Sequence, residues 1–281
     1  MTDAIIGFSD NYDWNILKPW ALSAEKCGFT GDRYIVFCNV DMPTVHEFEK
    51  RNWKIICLGS QTTNGHFRFS FPTNLTIHLA RFMILYNVLK KSDYEYIIHT
   101  DTKDVVFQEN PSVYVRNNIE DKKILCSSES IKYIDEPWGA QNMLDTFGGD
   151  YVKIHENDEI YNVGVLIGES KYFLDLCHLI FQVGIGRSTP IVDQAVFNYL
   201  INSLPWSELT KFAKSEDAFC ANVGTTIDPK KIKEFKPLLL ENQPIFEDGF
   251  CKTSTGEIHI ILHQYDRVPA WKAIVASKFN D

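Results

Sequence analysis

The chain predicts an α/β fold: one domain over residues 1–281, with a mixed, mainly parallel central sheet flanked by helices. Short apolar runs alternate with helix-length amphipathic stretches through the first hundred positions, as βαβ units do. At 281 residues and 44% hydrophobic, the chain can bury a sizeable core. No repeat, low-complexity tract or Pro/Gly-rich linker breaks it into separate units.

Ala4–Phe8 (AIIGF) is an apolar run closed by Ser-Asp-Asn, which reads as a buried strand and a loop. From Trp14 to Lys26, residues Ile16, Leu17, Trp20, Ala21 and Ala24 fall near helical period, and Gly28 supplies a stop. Tyr34–Cys38 (YIVFC) is the second strand. Pro43 to Arg51 is a helix with Pro at its start, where the missing N–H costs little. Lys54–Leu58 (KIICL) is the third strand. Thr76 to Lys91 puts Ile77, Ala80, Phe82 or Met83, Leu85 and Val88 or Leu89 on one helical stripe, and Tyr96–Thr100 is the fourth strand.

The second half is less regular. Lys123–Cys126 and Val163–Ile167 read as strands, Tyr172 to Val183 and Asp193 to Ile201 as helices. Ile258–Leu262 is a late strand running into His263. Open α/β sheets bind ligands beyond the carboxyl ends of their strands. The loops Ser9–Asp13 and Asp101–Asp104 are therefore expected to meet in one crevice.

A formal net charge of −9 argues against nucleic acid or an anionic membrane as partner, since both want a basic face. An anionic ligand would need a local cation or a metal. The seven cysteines are scattered with no C-x-x-C pair, the pattern of free thiols in a reducing compartment. The N-terminus lacks a basic, then apolar, leader pattern, and no apolar segment is long enough to span a bilayer. The expectation is a soluble cytoplasmic protein with no integral membrane segment.

The stretch YIIHTDTKDVVFQ sets two carboxylates, Asp101 and Asp104, between two β-branched runs. Paired acids at a strand end suit Mn²⁺ or Mg²⁺, which prefer carboxylate and phosphate oxygens and keep positions open for a substrate. Turn-capping acids are commonplace in loops. His263, at the end of an apolar strand in the other half, makes a three-ligand site credible, because imidazole suits Mn²⁺.

With these elements in view, the chain resembles the metal-dependent, GT-A fold (Rossmann-like) nucleotide-sugar glycosyltransferases, in layout those of the glycogenin/galactosyltransferase-like family 8. FSDNYDW (residues 8–14) is similar to the family's first-strand loop, which contacts the nucleoside base. Arg81 sits where the family has an arginine on the helix before its acidic motif. YEYIIHTDTKDVVF resembles that motif, and YNVGVLIG (161–168) the strand lining the donor-sugar pocket. VDQAVFN (192–198) resembles the D-Q helix start, and HQYDRVPAW (263–271) the closing motif. Two residues separate the acids where the family has one, which leaves open which Asp takes metal and which ribose. The closing motif lacks the family's Gly and Lys, so Arg267 would supply the cation for the diphosphate.

The resemblance implies transfer of a sugar from UDP-xylose, UDP-glucose or UDP-galactose to a hydroxyl of an oligosaccharide or glycan acceptor. It implies Asp101, Asp104 and His263 as ligands of Mn²⁺ (or Mg²⁺). Phe8, Ser9, Asp10, Tyr12, Arg81, Asp101 and Arg267 would bind nucleotide, Tyr12 by stacking and Asp10 by accepting from the base. Asn162, Gly164 and Trp138 would bind sugar, and Asp193 and Gln194 are the catalytic candidates. Asp135 and Glu136 are further candidate bases, and Trp206 and Trp271 further stacking aromatics. Residues of about 1–110 would form the nucleotide half and about 111–281 the acceptor half. A sugar nucleotidyltransferase or an inactive carbohydrate-binding relative are the alternatives. The first would want a Gly-rich cationic loop that FSDNYDW lacks.

Overall fold

The protein is described by a computed structural model covering residues 2–72 and 75–279. Its first half runs β1 (Ala4–Asp10), α1 (Trp14–Lys26), β2 (Asp32–Asp41), α2 (Met42–Glu49), β3 (Lys54–Cys57), β4 (Ser60–Gln61), β5 (His66–Arg68), α3 (Ile77–Leu89), β6 (Tyr96–Thr100) and β7 (Val105–Phe107). There follow α4 (Pro111–Asn118), β8 (Ile124–Lys132), α5 (Pro137–Phe147), α6 (Gly149–His155), β9 (Glu159–Glu169), α7 (Ser170–Gly184) and α8 (Asp193–Ile201). The last stretch holds α9 (Trp206–Leu209), β10 (Thr210–Ala213), β11 (Cys220–Asn222), α10 (Val223–Thr226), α11 (Ile232–Phe235), β12 (Ile245–Glu247), β13 (Phe250–Lys252), β14 (Ile261–His263) and α12 (Pro269–Lys278).

Nine strands form one mixed sheet in the order β10-β8-β9-β6-β1-β2-β5-β4, with β3 also on β2. The segment β3-β2-β1-β6 is parallel throughout. β9 runs antiparallel to both of its neighbours, β6 and β8. The strand alternation is visible in the core. Ile5, Ile35, Ile98 and Ile167 pack into one cluster with Leu17, Trp20 and Phe48. Their chain neighbours Ile6, Val36, Ile97 and Leu166 pack into another with Phe82, Leu85 and Phe173. Adjacent residues feeding opposite cores is what a sheet covered on both faces requires.

The helices of the first half start where the sequence places caps. Asp13 accepts from the Ile16 amide at α1, and Asp41 from the Thr44 amide at α2. A second sheet, β11-β14-β7, lies off the main one. Its strands are too short to announce themselves by period, yet it joins the two halves: β7 pairs antiparallel with β14 so that Val105 faces His263. The late strand begins at Ile261, and His263 is its last residue. All seven cysteines are free, five of them buried. Among the described residues no helix is long and apolar enough to cross a membrane.

Candidate active site

Asp101 follows the end of β6, and its amide donates to the Gly164 carbonyl of β9 at 2.6 Å. Asp104 precedes β7, and its carbonyl accepts from the Gln264 amide at 2.7 Å. The turn between them is pinned to β1 by the Thr102 hydroxyl, which donates to the Phe8 carbonyl. With His263 brought alongside by β14, one ligand atom from each of Asp101, Asp104 and His263 lies within 4.8 Å of the others.

The surroundings of these side chains fit a divalent cation. The Asn222 amide NH₂ donates to Ser127 and Ser128, which leaves its carbonyl oxygen to accept from His263 Nδ1 at 2.9 Å. In the neutral ring that turns the lone pair of Nε2 toward the two carboxylates, 3.7 Å from Asp101 and 3.8 Å from Asp104. Such an outer partner is the usual way a metal-binding imidazole is oriented. A Cβ on Gly164 would lie 2.6 Å from Asp101 Oδ2 and 2.8 Å from His263. Only a bare backbone leaves room for three ligands at this point.

Charge is arranged to match. Burial alone would raise the Asp101 pKa, but Arg81 and His263 hold it far below the usual carboxylate range. Asp104 goes the other way: burial raises it, and burial together with Asp101 and Asp266 outweighs the pull of His263 and Arg267. Burial opposes a charged His263, yet Asp101 and Asp104 hold its pKa above the ordinary value. Two acids and an imidazole that share charge uneasily are the donor set a hard or borderline cation satisfies.

Arg81 is the clamp of the site. It is 7% exposed, and donates to Asp101 Oδ1 at 2.5 Å and to Asp193 Oδ2 at 2.8 Å. It thus ties the acidic turn to the first residue of α8. The arginine pairs with Asp101, not Asp104, and Asp193 serves no capping role at its helix start.

Two connected cavities open from this centre. One, of about 240 Å³, is lined by Phe8, Asp10, Tyr12, His78, Lys103 and Arg267 together with the metal-side acids. Tyr12 is half-buried there, and Asp10 Oδ1 accepts from Asn39 at 2.7 Å and Asn11 at 3.0 Å, so its Oδ2 is left for a ligand. Ser9 is fully buried and does not line this cavity, so its side chain is withdrawn from the nucleotide role expected of it. The neighbours Phe8 and Asp10 face the cavity, as strand alternation requires.

The larger cavity, about 500 Å³, is lined by Trp138, Asn162, Gly164, Asp193, Gln194 and several residues that sequence reasoning missed. Chief among these is Glu129, 8% exposed, which accepts from Asn162 and Gln194 through Oε1 and from Thr225 through Oε2. β8 loses register with β9 between Ser128 and Lys132, and Ser130 sits at φ 60°. That bulge carries Glu129 to the cavity, and the sequence gives no sign of it beyond a run of small polar residues. Of the two candidate bases beside α5, Glu136 lines the cavity and Asp135 does not. Burial raises the Glu136 pKa. Trp206 is a core residue at 7% exposure, and Trp271 packs on Phe246 at 4.9 Å, so neither is a stacking surface in the cleft.

No protein-family model matches the chain, and no curated protein matches it. The architecture is nonetheless the GT-A fold, with a possible Asp-Asp-His metal site at its centre. Among solved structures it is similar to the galactosyltransferase LgtC in complex with donor and acceptor sugar analogs. That likeness has a TM-score of 0.58 and 14% identity over 99% of this chain and 96% of that one. The glycosyltransferase GlyE of Streptococcus pneumoniae TIGR4 is similar at TM-score 0.53 and 12% identity, over 100% of this chain and 64% of that one. Identity this low establishes the fold and leaves activity to be argued from the side chains.

Proposed function

We propose that the protein is a metal-dependent glycosyltransferase that moves a sugar from a UDP-sugar to a hydroxyl of a carbohydrate acceptor. The observation that carries the reading is the convergence of Asp101, Asp104 and His263 between two cavities. One cavity suits a nucleotide, the other a pair of sugars. The GT-A fold supports it by analogy. Residues of about 1–110 supply most of the nucleotide side and about 111–281 the acceptor side, with His263 and Arg267 reaching across.

Tyr12 stacks on the base, and Asp10 Oδ2 accepts from its imide N–H. Asp101, kept ionised by Arg81, needs no proton displaced before it binds a cation with Asp104 and His263. Mn²⁺ or Mg²⁺ held there supplies Lewis-acid stabilisation of the charge that develops on the leaving diphosphate. Arg267, half-exposed and lining both cavities, adds a planar fork for the same oxygens.

Asn162 and Gly164 shape the donor-sugar pocket, with Glu129 fixing the amides of Asn162 and Gln194. Asp193 is committed to Arg81 through Oδ2 and is assigned to positioning. Two other groups can serve the reacting centre. Gln194 Oε1 would flank the sugar in a retaining transfer. Glu136, made more basic by burial, would take the acceptor proton in an inverting one. Trp138 offers its face to the acceptor.

Incubation with Mn²⁺ and a panel of nucleotide sugars tests the reading by release of nucleoside diphosphate. Metal-dependent release specific to a UDP-sugar is expected, and product NMR then assigns the anomeric outcome. No release from any donor, together with no UDP-dependent shift in Tm, overturns the proposal.

A further inference from the structure

Three tryptophans were candidates for stacking, and only Trp138 remains exposed at the cleft, at 51%. An indole left bare on a cavity wall is an apolar surface without a protein partner. The C–H-rich face of a pyranoside is the complementary ligand. The same cavity is also lined by Lys230 and Lys231, both exposed, from the turn between α10 and α11.

These two lysines stand out in a chain of net charge −9. Lys231 reaches Glu136 Oε1 only at 3.8 Å, and among the described residues Lys230 has no carboxylate within 4.0 Å. Asp228 lies on the same wall, but it is buried and its Oδ1 accepts from the Lys230 amide as a turn cap. Glu129 is already saturated by three neutral donors. Neither lysine lines the nucleotide cavity, where Arg267 and Lys103 stand ready for the diphosphate. Of the two lysines on this cavity, Lys230 therefore has no counter-charge of its own among the described residues, and Lys231 has only the long contact to Glu136.

We propose that Trp138, Lys230 and Lys231 form a subsite for an anionic group, a carboxylate or a phosphate, on the acceptor saccharide. The proposal rests on the glycosyl-transfer reading above and names the class of acceptor that reading leaves open. The sugar ring stacks on Trp138, and its anion takes charge-assisted hydrogen bonds from the lysines, which are about twice as strong as neutral ones.

The test measures binding and transfer in parallel, with Mn²⁺ and UDP present. Matched oligosaccharides ending in a neutral sugar, a uronate or a sugar phosphate are titrated by calorimetry, and the same set is offered as acceptors. Acidic ligands are expected to bind at least about tenfold tighter than neutral ones, the factor one charge-assisted hydrogen bond contributes. The uronate and phosphate arms tell which anion it is. In a Lys230→Ala/Lys231→Ala double variant, whose lysines are both exposed, the acidic-to-neutral ratio should fall toward one. Equal affinity for neutral and acidic ligands, or a ratio untouched by the double variant, overturns the subsite. Weakened UDP binding with an unchanged ratio reassigns the lysines to the diphosphate and also overturns it. Acidic binding that depends on the lysines, with no transfer from any donor, upholds the subsite and sinks the transferase reading alone.

Discussion

On the metal side of the cleft, charged groups are held by other charged groups. Asp101 meets Arg81 and His263, Asp104 meets His263 and Arg267, and Asp193 meets Arg81. On the sugar side, the buried carboxylate of Glu129 is held only by two amides and a hydroxyl. The first arrangement fixes protonation states as well as positions, which a cation site needs before the cation arrives. The second fixes orientation alone, which suits a ring whose hydroxyls must be told apart.

The largest effect expected from this contrast lies at Arg81. Arg81→Met would leave Asp193 without a cation and Asp101 with His263 alone, and removing one partner of a buried ion pair costs about 3–5 kcal/mol. Denaturant unfolding measures it. Arg81→Lys should recover only part of the loss, because one ammonium cannot reproduce the two-pronged contact. A loss below about 1 kcal/mol for Arg81→Met would mean the pairing is loose and the comparison fails.

Next comes the imidazole's support. Asn222→Leu deprives His263 of the acceptor that sets its ring, and loss of such a partner typically lowers metal affinity about 10–100-fold. The Mn²⁺-dependent rise in Tm reads this without any activity assay. An unchanged Mn²⁺ response would show that His263 is oriented by something other than Asn222, or is not a ligand.

The sugar side sharpens the comparison by its tolerance. In Glu129→Gln the amide oxygen can still accept from Asn162 and Gln194, while its NH₂ meets a Thr225 hydroxyl free to rotate. Stability should move by less than about 1 kcal/mol, whereas Glu129→Ala strands two buried amides at about 1–3 kcal/mol. If Gln and Ala lose equally, the negative charge itself is required, and the two sides are built alike after all.

Much of the metal side could be read from residues alone, and the reason is strand geometry. Asp10, Asp101 and His263 sit at or just past the ends of apolar runs, so the period that reveals the strand also points at the site. The sugar side hides because its residues reach the cavity through irregularity. Glu129 rides a bulge, and Lys230 lies in a turn between two four-residue helices. No period survives over such lengths. Ser9 shows the reverse: a polar residue in a suggestive loop motif is fully buried and lies outside the cavity that its neighbours line. Arg81 is a site candidate from its motif, but its partner across 112 positions, Asp193, depends on α3 and α8 both packing on α7, which no local pattern encodes.

The smallest effect tests the contrast at its weakest point. In the proposed function the corner at Asp10 receives the base and belongs to the nucleotide side, yet Asp10 has no cation among the described residues and is held by amides, like Glu129. Asn39 is itself clamped, donating to the Phe69 carbonyl and accepting from the Phe69 amide, each at 3.2 Å. Its NH₂ therefore holds Asp10 Oδ1 in place and leaves Oδ2 to accept a ring N–H, which uracil has and cytosine lacks. Asn39→Ala should cost about 1 kcal/mol of stability and reduce the preference for UDP over CDP several-fold, measured by competition binding. Loss of stability with the preference intact would make Asn39 a clamp for the Phe69 segment only. Loss of both would place the dividing line by ligand: charge pairing where metal and phosphate bind, neutral clamping where rings must be recognised.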